Sequence, residues 1–222
     1  GAAVVHTLEG AVQTIARGPV AVEVIIKQLG TNGGGFFGPN STHPLENVGF
    51  YSNLIECVSL VIIPMGCVWM FGEITKHKKH ALIIFAVMTV LCLVKLGCAI
   101  TFESEPTNAL HGLPVAAASN LEGKELRLGA GASPLWAVFT TCTSNGSVNS
   151  MHCSLNPLTG LIPLVGMWFN ITFGGIGVGF LGLFTYIIIG VFICGMMVGR
   201  TPEYLGKKIQ AYDMKMVCLV IL

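Results

Sequence analysis

Charged residues are scarce in this chain. Asp, Glu, Lys and Arg make up 10% of its 222 residues and hydrophobic residues make up 53%, whereas ordinary globular domains carry about 25% charge. A chain this poor in charge needs a non-aqueous solvent over much of its surface, so the lipid bilayer is a predicted partner. The net charge of +1 lacks the clustered basic excess of nucleic-acid-binding domains, which excludes nucleic acid as a partner.

Several motifs of soluble enzymes are also missing. The chain has no C-x-x-C pair for a zinc site and no G-x-x-x-x-G-K-[ST] loop for nucleotide phosphates. Residues 177–182 fit the dinucleotide fingerprint, but their neighbours are too apolar for a βαβ unit. We therefore expect no organic cofactor on this chain. Six of the eight cysteines lie in apolar runs as small hydrophobes, whereas Cys142 and Cys153 flank a polar loop and could pair.

Three apolar stretches have the composition of membrane spans. Residues 54–73 and 81–100 each approach the roughly 20 residues that cross a hydrocarbon layer about 30 Å thick. The third stretch, residues 153–199, contains no Asp, Glu, Lys, Arg or His and is too long for one straight helix, so we assign a broken span to residues 158–199. Lys95 lies near the outer end of the second span and is expected to extend to the interface.

Basic residues in short loops indicate the orientation, because such loops are usually cytoplasmic. They follow the first and third spans: Lys76, Lys78, Lys79, Arg200, Lys207 and Lys208. The predicted outer loop, residues 101–132, is mostly acidic, so one crossing should separate it from Arg200. Residues 200–222 are then a cytoplasmic turn and the start of another span. The last apolar run simply stops, as in a piece of a longer chain.

Two shorter apolar segments are each about half a membrane long. Proline near the start and glycine or a polar loop at the end predict pore helices over residues 19–30 and 134–142. A glycine-containing loop follows each one, at residues 31–35 and 143–147. Aligning Thr31 with Thr143 places Gly34 on Gly146. The predicted unit of span, pore helix, loop and span is complete in residues 81–199 and lacks its first span in residues 1–74.

Irregular backbone at membrane depth is tolerated where it lines a cavity or is buried in protein. Glycine lets successive carbonyl groups turn toward one axis, and rings of carbonyls replace the hydration shell of K⁺. The sequence therefore predicts a K⁺ filter built from backbone carbonyls; the alternative is a pair of ordinary extramembrane turns. The predicted filter residues are Thr31, Asn32, Gly33, Gly34, Gly35, Thr143, Ser144, Asn145, Gly146 and Ser147.

Four glycines interrupt the third apolar stretch: Gly174, Gly175, Gly177 and Gly179. Each costs a helix about 1 kcal/mol relative to alanine, so this segment should unwind. We interpret it as a gating loop beneath the second filter loop. The alternative is close helix packing through small residues.

Long motifs of this chain resemble those of the A subunits of the Kdp potassium pump. They are Lys-Gln-Leu-Gly-Thr-Asn-Gly-Gly-Gly-Phe-Phe at residues 27–37, His-Pro-Leu-Glu-Asn at 43–47, the charged segment 122–127, Met151-His152, the glycine-rich segment 173–179 and Gly-Arg-Thr-Pro-Glu-Tyr-Leu-Gly-Lys-Lys at 199–208. The resemblance covers nearly the whole chain. It implies an all-α membrane protein with the fold of the superfamily of K⁺ transporters, in which four span–loop–span repeats surround one pore.

By this resemblance the chain carries the second and third repeats and the start of the fourth. It would supply part of the filter and the gate of an ATP-driven K⁺ uptake pump in the bacterial plasma membrane. A separate P-type ATPase subunit would hydrolyse ATP, in keeping with the missing Asp-Lys-Thr-Gly motif, and small accessory subunits would complete the complex. Arg200 is a candidate for contact with the ATPase subunit.

Three positions depart from the family pattern: Asn145, Ser147 and Cys153. Ser144-Asn145-Gly146-Ser147 stands where the family usually has Ser-Cys-Gly-Ala, and Cys153 stands in place of an acidic residue. These departures bear on ion selectivity. Two other functions stay open: a passive Trk- or Ktr-like cation channel subunit, and an inactive fragment, because half a ring of carbonyls cannot enclose an ion.

Overall fold

The computed structural model describes residues 1–107, 112–114 and 120–222. Within these ranges the chain forms α1 (Gly18–Leu29), α2 (Phe50–Thr75), α3 (Lys78–Ser104), α4 (Ala132–Cys142), α5 (Pro157–Phe169), α6 (Val178–Val198) and α7 (Ala211–Ile221). The prediction of a mainly helical membrane protein is confirmed, because three helices are long and apolar enough to cross a membrane. Residues 108–111 and 115–119 of the predicted outer loop lie outside the described residues.

Two antiparallel hairpins are absent from the all-α prediction. The first pairs β1 (Ala2–His6) with β2 (Val12–Ala16), and the second pairs β3 (Glu203–Tyr204) with β4 (Lys207–Lys208). Valine, threonine and isoleucine favour strands and are frequent in β1 and β2. The fold class is therefore mainly α-helical with a small β component, and not all-α.

The first two spans are longer than their apolar stretches. α2 begins at Phe50 and α3 continues to Ser104, whereas the predicted spans were residues 54–73 and 81–100. The additional turns carry Asn53 and Glu103, which are 4% and 1% exposed. Both side chains have polar partners inside the protein, so the helices continue through polar residues that a hydropathy pattern reads as loop.

α4 lies at the centre of the packing. One buried cluster joins Met88 and Cys92 of α3 to Val138 of α4 and to Phe173. A second cluster joins Leu60 of α2 to Trp136 of α4. Because a short helix with so many apolar neighbours cannot tilt or slide freely, the loop that follows α4 has a fixed starting point.

The third apolar stretch divides into two helices. The predicted broken span, residues 158–199, falls on α5, a break at residues 170–177, and α6. Asn170 and Phe173 have positive φ angles of 41° and 55°, and Phe173 is fully buried. The break is therefore an ordered part of the core. All eight cysteines lie within the described residues and are free, so the possible Cys142–Cys153 pair does not form.

Candidate functional site

The two predicted filter loops lie against each other. A Cβ atom built on Gly33 would lie 2.2 Å from the Asn145 carbonyl oxygen and 2.8 Å from the Ser147 amide nitrogen. Asn145 Nδ2 donates to the Lys27 carbonyl at 2.7 Å. These contacts join the carboxyl end of α1 to the second loop, although the two segments are more than 100 residues apart in the sequence.

Each loop is anchored to the end of its own pore helix. The Gly33 amide donates to the Lys27 carbonyl at 3.2 Å. The Gly146 amide donates to Thr140 Oγ1 at 3.0 Å, and the Asn145 amide donates to the Thr140 carbonyl at 2.8 Å. Lys27 and Thr140 therefore occupy equivalent positions in the two helices.

This equivalence corrects the alignment of the loops by one residue. Thr31 and Ser144 have φ angles of 51° and 53°, and Gly33 and Gly146 have φ angles of 70° and 94°. Thr31 thus matches Ser144, and Gly33 matches Gly146. The alignment of Thr31 with Thr143 was wrong, because the structural counterpart of Thr143 is Gly30, which ends α1.

The backbone pattern suits carbonyl ligands. In both loops a residue with negative φ, Asn32 or Asn145, lies between two residues with positive φ. Alternation of left- and right-handed residues rotates successive peptide planes, so their carbonyl groups can face one side. A Cβ atom on Gly34 or on Gly146 would meet no atom within 4 Å. Open space therefore borders both loops.

Two predicted filter residues are held by the protein. The Ser147 carbonyl accepts a hydrogen bond from Trp136 Nε1 at 2.8 Å, which directs it toward α4. A Cβ atom on Gly35 would lie 2.9 Å from Glu46 Oε1, so Gly35 packs against the segment that precedes α2. These contacts suit anchoring of the loop ends, while the residues between them border the open space.

The glycine-rich break lies beside the first residues of the loops. A Cβ atom on Gly175 would lie 3.1 Å from the Thr143 carbonyl oxygen and 3.2 Å from Thr31 Oγ1. The Gly174 amide donates to the Cys142 carbonyl at 2.8 Å. A Cβ atom on Gly177 would lie 3.6 Å from Cys67 of α2. The break therefore contacts both loops and one span.

Two other predicted residues, Gly179 and Arg200, lie away from the contact between the break and the filter loops. A Cβ atom on Gly179 would lie 2.4 Å from the Gly174 amide, so Gly179, in the first turn of α6, packs against the break. Arg200 is exposed beyond the end of α6. At about 1.5 Å per residue, the 21 residues of α6 separate it from the break by about 30 Å. The structure thus does not bring Arg200 to the loops.

A buried charged cluster lies directly behind the first loop and was missed from the sequence. Lys27 forms an ion pair with Glu46, and its Nζ atom also donates to Ser41 Oγ at 2.7 Å. Glu46 Oε1 accepts from the Phe37 amide at 2.7 Å. Glu56 of α2 accepts from Ser41 Oγ at 2.7 Å. An acid inside an apolar stretch is the one signal that could have indicated this cluster.

The charged segment 122–127 connects the two halves of the chain, residues 1–74 and 81–199. Lys124 forms a buried ion pair of 2.6 Å with Glu103. Arg127 Nη1 donates to the Asn47 carbonyl at 3.0 Å and to the Val48 carbonyl at 2.7 Å. Burial lowers the pKa of His152, which follows the second loop, and so favours the neutral form of this imidazole. Arg127, which is exposed, therefore joins the segment before α2 to the segment between α3 and α4.

Lys95 does not extend toward the end of α3 as expected. Its Nζ atom donates to Thr172 Oγ1 at 2.8 Å, so the ammonium group holds the start of the break. An ionisable group within a span normally pairs with a polar group inside the protein. The prediction that Lys95 extends to the membrane interface was wrong, because Thr172 of the break offers its ammonium group a hydroxyl partner inside the protein.

Thr172→Val is expected to lower the free energy of unfolding by about 1.5–3 kcal/mol, because it removes a hydrogen bond to a charged group. Thermal unfolding of the purified complete protein in detergent would measure the change. Thr89→Val is the matched control, since Thr89 Oγ1 donates only to the Phe85 carbonyl of its own helix. Equal midpoints of thermal unfolding for Thr172→Val and Thr89→Val would contradict a special role for the Lys95 contact.

Comparison with known proteins gives the family. A family model described as the potassium-transporting ATPase A subunit matches residues 1–222. The chain belongs to this family. Relatives named as potassium-transporting ATPase potassium-binding subunit include those of Parabacteroides distasonis (49% identical over 98% of this chain) and Listeria monocytogenes (51% over 99%). The chain spans 38% and 39% of the length of these two relatives.

Proposed function

We propose that this chain supplies two filter loops and the gate of a potassium-translocating subunit in an ATP-driven K⁺ uptake pump. The contact between Gly33 and the Asn145 carbonyl carries the proposal, because it sets two carbonyl-bearing loops side by side. Potassium is the transported ion and binds through backbone carbonyls. The relatives' names, potassium-transporting ATPase potassium-binding subunit, favour this function over a passive channel.

The proposed ligands are the backbone carbonyls of residues 31–34 and 144–146, because Thr143 is the counterpart of Gly30 at the end of its helix, while Gly35 and Ser147 anchor the loops. In this proposal the glycine-rich segment 174–179, which covers the end of the break and the start of α6, is the gate, since Gly175 lies beside Thr31 and Thr143. Further filter loops would come from the rest of the subunit, because two loops alone cannot surround an ion. The alternative of an inactive fragment applies only to the chain in isolation.

The proposed setting is the bacterial plasma membrane. We place Arg200 and the β3–β4 hairpin on the cytoplasmic side by the basic residues around them. A P-type ATPase catalytic subunit would hydrolyse ATP, small accessory subunits would complete the pump, and Arg200 is the proposed contact with the catalytic subunit. The exposed position of Arg200 beyond α6 supports this role.

Gly146→Ala in the complete subunit is expected to raise the K⁺ concentration for half-maximal ATPase activity by roughly tenfold or more. A non-glycine residue at a strained φ costs about 1–3 kcal/mol, and the strain at φ 94° falls on a proposed ligand loop. The assay is K⁺-stimulated ATP hydrolysis by the purified pump. Gly160→Ala is the control, because Gly160 lies within α5 and a Cβ atom there meets nothing.

An unchanged half-maximal K⁺ concentration in Gly146→Ala would overturn the filter assignment. The passive-channel alternative makes a separate prediction, since its K⁺ uptake would continue without ATP. Uptake into vesicles with and without ATP distinguishes these two functions.

A further inference from the structure

The side chain of Gln28 links α2 to the second filter loop. Gln28 Oε1 accepts from Ser147 Oγ at 2.9 Å, and Gln28 Nε2 donates to Glu56 Oε2 at 2.7 Å. Gln28 is 1% exposed, so water does not compete for either bond. One amide therefore joins a carboxylate of the first half of the chain to a loop of the second half.

Glu56 determines which end of the amide faces Ser147. A serine hydroxyl can either donate or accept a hydrogen bond, so Ser147 alone would tolerate both orientations of the Gln28 amide. Glu56 Oε2 accepts hydrogen bonds from Ser41 Oγ and from Gln28 Nε2, so it draws Nε2 toward α2 and leaves Oε1 for the hydroxyl. Ser41 Oγ donates to the same Glu56 oxygen at 2.7 Å and reinforces this arrangement.

Stability alone does not explain a carboxylate at this position. Glu56 is 5% exposed, and the nearby cation, Lys27, is paired with Glu46. Apolar groups of similar volume often stabilise a buried site as well as charged groups do. A group that orients its neighbours has a different use, since it selects one hydrogen-bond arrangement out of several.

Ser147 has two other anchors, and both come from its own half of the chain. Its amide donates to Asn145 Oδ1 at 2.8 Å, and its carbonyl accepts from Trp136. Gln28 is the anchor from the other half. The Gln28–Ser147 bond therefore acts on the spacing between the two loops, where Gly33 and Asn145 are already in contact.

We propose that Gln28 and Glu56 are positioning residues for ion selectivity in this chain, where Ser147 stands in place of the family's usual alanine: Glu56 orients the Gln28 amide, and Gln28 fixes the position of Ser147 relative to the first loop. This inference rests on the proposed function of the loops. Neither side chain need touch the ion, since both act through Ser147.

Gln28→Met in the complete subunit, assembled in its pump, removes both hydrogen bonds at nearly constant volume. The half-maximal K⁺ concentration should rise about tenfold, discrimination between K⁺ and Na⁺ should fall, and the maximal ATPase rate should stay within about twofold. Gln13→Met is the matched control, because Gln13 is exposed on β2. A merely structural role would lower the yield of the pump without changing its half-maximal concentration.

A reciprocal exchange tests the role of Glu56. Gln28→Glu sets two carboxylates against each other and should raise the half-maximal concentration at least as much as Gln28→Met. In Gln28→Glu/Glu56→Gln the new amide can donate to the new carboxylate, which can still accept from Ser147. The double variant should recover to within about threefold of the original value. A double variant no better than Gln28→Glu would overturn the role of Glu56.

The outcomes separate this inference from the proposed function. If Gly146→Ala raises the half-maximal K⁺ concentration and Gln28→Met does not, the positioning role is overturned and the filter assignment stands. If neither variant changes it, the filter assignment fails as well. Should Gln28→Met not assemble, Ser147→Ala removes only the hydroxyl and decides the question, since an unchanged value there overturns the inference.

Discussion

Gly33→Ala is expected to raise the half-maximal K⁺ concentration by on the order of 100-fold, which makes it the most damaging single change among the loop glycines. The added Cβ atom would lie 2.2 Å from the Asn145 carbonyl oxygen, far inside van der Waals contact. The nearest atoms, the Asn145 carbonyl oxygen and the Ser147 amide nitrogen, belong to the backbone, so neither can rotate away. The φ angle of 70° adds a cost of about 1–2 kcal/mol for a residue with a side chain. The two loops must therefore separate.

Gly34→Ala is the matched control for this prediction. Its φ angle of 87° lies in the same left-handed region, but its added Cβ atom would meet no atom within 4 Å. The difference between the variants isolates the contact between the loops from the cost of the backbone conformation. Rubidium uptake by cells that depend on the complete pump would measure both variants at graded K⁺ concentrations.

Similar losses in Gly33→Ala and Gly34→Ala would show that conformation alone matters, which would contradict the packing argument. A larger loss in Gly34→Ala would indicate that the open side of the loop is the sensitive one. Blotting for the subunit in membrane fractions would separate loss of transport from loss of protein.

Backbone-level features of this chain could be predicted from its sequence. Low charge and long apolar runs predict the spans, and proline and glycine mark the ends of the short helices, because these signals are local. The break in the third stretch could also be anticipated, since Gly174, Gly175, Gly177 and Gly179 all weaken a helix.

Contacts between distant side chains could not be predicted in the same way. Thr31 and Thr143 share a residue type, and only the geometry of the helix ends shows that Gly30 and Thr143 are the equivalent pair. Trp136 fits an apolar helix, and nothing in its sequence context indicates that its indole holds the Ser147 carbonyl. Such information depends on tertiary packing, which a local pattern does not carry.

The ion pair behind the first loop gives the second large prediction. Lys27→Met should destabilise the protein by about 3–5 kcal/mol, because it leaves the Glu46 carboxylate buried without its cation. The two side chains are 2% and 0% exposed, whereas those of the exposed pair Lys78–Glu73 are 67% and 64% exposed. Lys78→Met is thus the matched control, and it should cost at most about 1 kcal/mol.

Thermal unfolding of the purified complete subunit would compare the two lysine variants. A double variant, Lys27→Met/Glu46→Gln, then tests the cause of the loss. The glutamine can keep an oxygen for the Phe37 amide while it removes the buried charge, so much of the stability should return. If the double variant is no more stable than Lys27→Met, the loss comes from the missing hydrogen bond between the Lys27 ammonium group and Ser41.

This ion pair also affects the loops through one backbone atom. The Lys27 carbonyl accepts from the Gly33 amide and from Asn145 Nδ2, so the residue whose side chain is fixed by Glu46 joins both loops through its main chain. We therefore expect Lys27→Met to raise the half-maximal K⁺ concentration as well, and by less than Gly33→Ala, because the carbonyl itself remains. A Lys27→Met pump that unfolds early and keeps its original K⁺ response would show that the pair supports the fold without positioning the filter.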